Sequence, residues 1–88
     1  MPRISEFFGI VIYMYWFDTK RHKKPHLHAM YQNKQAVFDL NGDCLSGNIG
    51  NRAASLVKEF VVERSDELRK AWECAMAGKE VPWIKPIS

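Results

Sequence analysis

The hydrophobic period of this 88-residue chain changes once, near Asn51, and that change limits the fold more than any other feature. Before it, residues 4–8 and 10–16 are dense in β-branched and aromatic side chains. Almost every position of Ile10-Val11-Ile12-Tyr13-Met14-Tyr15-Trp16 is apolar, so periodicity assigns no face, but length and composition favour a central strand over a helix. Gly9 reads as a bulge or bend within one long strand rather than a turn. After Pro25, residues 27–31 and 35–40 predict a hairpin around Gln32-Asn33-Lys34, with Asn33 suited to the left-handed backbone that tight hairpins need. Asn41-Gly42-Asp43 is a second turn signal, and Cys44-Leu45-Ser46-Gly47 reads as a short edge strand.

From Asn51 onward, Ala53, Leu56, Val57, Phe60, Leu68, Ala71, Trp72 and Ala75 recur at spacings of three and four and form one stripe. Arg64 alone interrupts it, either snorkelling past the edge or meeting an acidic group. Asn51 suits an N-cap and Gly78 a C-terminal stop. The phase carries through Arg64, which predicts one long helix; Ser65-Asp66-Glu67 offers the start of a second helix as the alternative. In the tail, Trp83 or Ile84 is expected to pack back on the body. The expected fold is α+β: a small, mainly antiparallel sheet of about four strands with a long C-terminal helix packed on one face. Residues 1–88 make one domain, because a chain this short buries only about 60–65% of its unfolded surface and has no material for a second core.

Within that frame, Pro25-His26-Leu27-His28 carries the chemistry. Residues i and i+2 of a strand share a face, so His26 and His28 are expected to project together. Paired imidazoles can ligate a metal, hold a phosphate or move a proton. Metal binding asks for three or more ligands, and beyond His26 and His28 the sequence offers only His22 on a loop and Asp18, Asp39 or Asp43 if the fold brings them near. Acid–base cleavage of RNA fits better, with His26 and His28 as base and acid and with Arg21, Lys23 and Lys24 on the phosphate. A hydrogen-bonded structural pair at a sheet edge is the more frequent fate of such residues, since imidazole is often half-buried for packing alone.

The charge balance is mild, +3 with a sequence pI near 9.0, short of a dedicated nucleic-acid binder. It is concentrated in residues 20–26, a basic loop that could meet an acidic partner or RNA at low salt. The two cysteines, Cys44 and Cys74, form no C-x-x-C, which removes zinc-ribbon and thioredoxin chemistry. There is no phosphate-binding glycine loop or nucleophile elbow, and no cofactor is expected. No apolar run approaches a membrane span, so the expected location is cytoplasmic, without membrane contact.

Several short strings occur in a telling order: Met1-Pro2-Arg3-Ile4-Ser5, Phe8-Gly9-Ile10-Val11-Ile12, Tyr15, Pro25-His26-Leu27-His28 and Ala36-Val37. They are followed by Gly47, Leu56-Val57, Glu67-Leu68, Trp72-Glu73, Gly78 and Ile84-Lys85-Pro86. In this order and spacing the chain resembles the DUF4160 family of small prokaryotic proteins along essentially its whole length. The resemblance implies the toxin half of a type II toxin–antitoxin pair, acting on RNA or the translation apparatus. Its partner would be a protein antitoxin or neighbouring-gene product of helix-turn-helix or DUF2442 type, and a homodimer is compatible with the size. It also implies that the Pro-His-x-His element, here Pro25, His26 and His28, is the seat of any activity. The alternatives are a non-catalytic protein-binding module and a metal sensor built on His26 and His28. The chain departs from its relatives in a longer loop before Pro25, in Arg64 where a helix histidine is common, and in Gly50 where a proline often starts the helix.

Overall fold

A computed structural model describes residues 3–14 and 24–87 of the chain. Five strands and two helices follow in order: β1 (Arg3–Phe7), β2 (Ile10–Tyr13), β3 (His26–Tyr31), β4 (Lys34–Asp39), β5 (Cys44–Gly47), α1 (Asn51–Glu63) and α2 (Ser65–Met76). The strands lie in sequence order as an antiparallel meander. The α+β class is as expected, while two details differ: there are five strands rather than about four, and two helices rather than one.

The extra strand comes from Phe8-Gly9. Both residues have positive φ, 48° and 78°, and Phe7 pairs directly with Ile10. Two left-handed residues between paired positions make a primed hairpin turn, whose twist matches that of the strands. Gly9 is therefore a turn residue and not a bulge. At the second hairpin Tyr31 pairs with Lys34, and the left-handed backbone falls on Gln32 (φ 57°) instead of Asn33.

The extra helix comes from Arg64, whose φ of −112° and ψ of 24° break the helical path between α1 and α2. Its main-chain bonds stay helical: its N–H donates to the Phe60 carbonyl and its carbonyl accepts from the Leu68 N–H. This is why the apolar phase runs through without a jump. The guanidinium turns instead to the tail, with Nε 2.8 Å from the Lys85 carbonyl and Nη2 3.4 Å from that of Pro86. Asp66 and Glu67 occupy the first turn of α2, where carboxylates offset the unsatisfied N–H groups. Gly50, not Asn51, is the N-cap of α1, and Asn48 Oδ1 accepts from its N–H at 2.8 Å. At the far end of α2, Gly78 N–H reaches the Ala75 carbonyl and Lys79 N–H that of Cys74, the paired bonds of a Schellman stop.

One face of the sheet is the core. Ile10 and Ile12 of β2, Leu27 and Ala29 of β3, and Ala36 and Phe38 of β4 are all buried, and their registers set them side by side. The helices contribute Ala53, Val57, Phe60, Val61, Leu68 and Ala71 to the same cluster. Phe60 packs on Phe7 with ring centroids 4.8 Å apart. The tail closes the outer side of β1: the Ile84 N–H donates to the Ile4 carbonyl at 2.8 Å, and Ile84 and Ile87 are buried. Of the two expected anchors Ile84 is the one used, while Trp83 is exposed. Among the described residues no helix is long and apolar enough to cross a membrane.

Candidate functional site

Pro25 delivers the chain in extended form to β3, and strand alternation then sets His26 and His28 on one face. Their ring centroids are 5.3 Å apart at an interplanar angle of 65°. The expected juxtaposition is present, but the two rings differ in access. His26 is fully buried, whereas His28 is half-buried beside Val37 of β4 and Tyr13 of β2. A molecule arriving from solvent therefore reaches His28 before His26.

His26 is held on two further sides. Its Nδ1 lies 2.7 Å from the Lys24 carbonyl. A carbonyl only accepts, so Nδ1 carries a hydrogen and donates it. On another side Trp72 of α2 packs against the imidazole at a centroid distance of 5.1 Å and a tilt of 55°. His28, His26 and Trp72 thus form a row of rings running from the sheet to the second helix.

Beyond Trp72 lies a cleft of about 400 Å³ between the end of β4 and α2. Lys24, Asp39, Asn41, Arg69, Trp72 and Glu73 supply its functional groups, with Pro25 and Leu40 completing the wall. Asp39 is the register partner of His26 and only 6% exposed. Its Oδ1 accepts from the N–H groups of Asn41 and Asp43, each at 2.9 Å, which fixes the carboxylate within its own turn. Two cations, two carboxylates, an amide and an indole therefore share one concavity of small-ligand size.

Of the sequence-derived phosphate ligands, Lys24 lines this cleft. Lys23 and Arg21 lie outside the described residues, as do His22 and Asp18. Asp39 binds its own turn through Oδ1 alone, and Asp43 is exposed. Among the described residues no group of three or more His, Cys, Asp or Glu is arranged to hold a metal. Cys44 and Cys74 are free thiols.

The other members of the cleft are harder to read from sequence alone. Trp72 sits on the apolar stripe and reads as core, and Arg69 and Glu73 read as a solvated helix face. Asp39, a candidate metal ligand in the sequence, carries a further signal in its position two residues before Asn41 in a turn-forming stretch, where Asp commonly bonds the following backbone.

These features define a small α+β domain in which a meander sheet and a bent helix pair frame a charged aromatic cleft. The chain belongs to the DUF4160 family: the family described as "Domain of unknown function (DUF4160)" matches residues 9–73, a span that takes in the histidine pair and closes on Glu73 of the cleft. No curated protein and no solved structure matches the chain.

Proposed function

We propose that this protein is the toxin component of a two-protein module, acting on RNA or the translation apparatus and silenced by a protein antitoxin from a neighbouring gene. The observation that carries this reading is the cleft, with its indole and two cations, set against a paired imidazole. Single-stranded RNA is held by stacking its bases on aromatic rings and meeting its phosphates with Lys and Arg, and Trp72, Arg69 and Lys24 are of those types. Arg21 and Lys23, from the same basic stretch as Lys24, extend the phosphate contact. His28, the more accessible imidazole, is the acid–base group that touches substrate. His26, hydrogen-bonded through Nδ1 and braced by Trp72, acts with it and sets its orientation.

Expression of the chain alone in a bacterium tests the proposal. Growth arrest is expected, relieved by His28→Ala and by co-expression of the neighbouring gene product. Normal growth in cells that accumulate the folded protein would refute it.

A second reading, a non-catalytic module that pairs its sheet with a partner protein, draws on β5. All four residues of this edge strand are exposed, and none is charged. Such an edge accepts an added strand. Growth arrest that persists in His26→Ala and His28→Ala alike would favour this reading over chemistry at the imidazoles.

A further inference from the structure

The geometry points to guanine as the base that this cleft selects, an inference that rests on the RNA-directed reading above. It starts from Asp39. Burying a carboxylate is costly unless its oxygens are satisfied, and Asp39 satisfies Oδ1 twice with the backbone N–H groups of Asn41 and Asp43. No described residue bonds Oδ2. Among the described residues, Ser5 Oγ is the one buried side-chain polar atom without a partner, so Oδ2 is not sealed, and Asp39 lines the cleft. The result is a fixed acceptor, aimed by its own turn and held in place before any ligand arrives.

Around that acceptor, the other groups narrow the ligand. Lys24 and Arg69 disfavour a cationic side chain, which would otherwise suit an indole and two carboxylates. Asp39 and Glu73 disfavour a bare anion. A nucleotide carries a planar base for Trp72, a phosphate for the two cations and a donor edge for the carboxylates. Guanine presents two adjacent donors, N1–H and the N2 amino group, and Oδ2, the oxygen that the turn leaves open, has two lone pairs with which to accept from both. Adenine and cytosine place a ring-nitrogen acceptor beside their amino group. Uracil places its single N–H between two carbonyl oxygens that a carboxylate repels. A base that fills the cleft takes water from Oδ2, and one that then leaves this oxygen unpaired is rejected, so Asp39 favours guanine over the other three bases.

The test uses the full chain, the four nucleoside 5′-monophosphates and unphosphorylated guanosine, with binding followed at the indole N–H signal of Trp72 by NMR. GMP is expected to bind at least about tenfold more tightly than AMP, CMP or UMP. Asp39→Asn keeps an acceptor for the turn but replaces Oδ2 with a donor, so it should bring the four nucleotides to parity while the remaining amide spectrum stays folded. Arg69→Gln should weaken GMP and leave guanosine unchanged. Equal binding of all four nucleotides by the natural chain, unchanged selectivity in Asp39→Asn, or no GMP-dependent shift at Trp72 up to about 10 mM would overturn the inference. The growth assay is independent of these outcomes. Arrest without guanine preference removes guanine selection and leaves the toxin reading standing, whereas guanine preference without arrest does the reverse.

Discussion

At the scale of single residues, Ser5 stands out because its hydroxyl is buried in β1 with no hydrogen-bond partner. A hydroxyl withdrawn from water and left unpaired costs on the order of 1–3 kcal/mol. Ser5 shares its register with Ile12 on the apolar face, where a methyl group fits as well as a hydroxyl. Ser5→Ala is therefore expected to raise stability by about 1 kcal/mol, read as a higher urea midpoint with an unchanged slope. A lower midpoint would show that the hydroxyl has a favourable partner. Asp39 is the opposite case, a buried polar group with one oxygen doubly bonded by its own turn, and its other oxygen is where a ligand gains most.

At the scale of elements, the hairpin between β1 and β2 is closed by an unlikely residue. Phe8 adopts φ 48°, costly for a side chain without a local hydrogen bond, and is 58% exposed. Asn at this position tolerates the conformation and gives the favoured Asn-Gly turn. Phe8→Asn is expected to stabilise the domain by about 0.5–1 kcal/mol, a rise of about 2–8 °C in Tm for a chain of this size. A fall in Tm would mean that Phe8 contributes more through the 280 Å³ hollow it lines with Tyr31, Arg52 and Leu56 than the strain costs.

The same turn explains why the sequence misleads there. Phe8 is a strand former, so Phe8-Gly9 reads as strand continuation. The chain reverses because the apolar runs on either side bury more surface when paired than when extended. Arg64 misleads in the other direction: its main-chain bonds keep the helical pattern, while its own φ and ψ and its reach to Lys85 and Pro86 mark the bend. Where local chemistry and packing agree, as in β3, β4, the apolar stripe and the Gly78 stop, sequence and structure coincide. The histidine pair was legible for the same reason, since strand alternation is a local rule. The cleft was not, because it depends on which turn of α2 passes over the end of the β3–β4 hairpin, and that is set by tertiary packing rather than by any local rule.

At the scale of the whole molecule, the Cα radius of gyration of 11.6 Å lies close to the roughly 12 Å expected for a compact domain of this length, so tail, helices and sheet form one body. Arg64 does much to keep it so, holding the tail carbonyls while Ile84 bonds to β1. Arg64→Ala is expected to speed unfolding about tenfold and to leave the folding rate nearly unchanged. Stopped-flow measurements in urea give both limbs, and an equal slowing of folding would place the tail contact in the transition state.

The bond between Ile84 and Ile4 also has a temporal meaning. Each strand pairs with its neighbour in sequence, so most ladders close short loops at small entropic cost. Docking the tail closes nearly the entire chain into a ring and is the costliest closure of all. The tail is accordingly expected to be the last clasp to fasten and, under stress, the first to come undone.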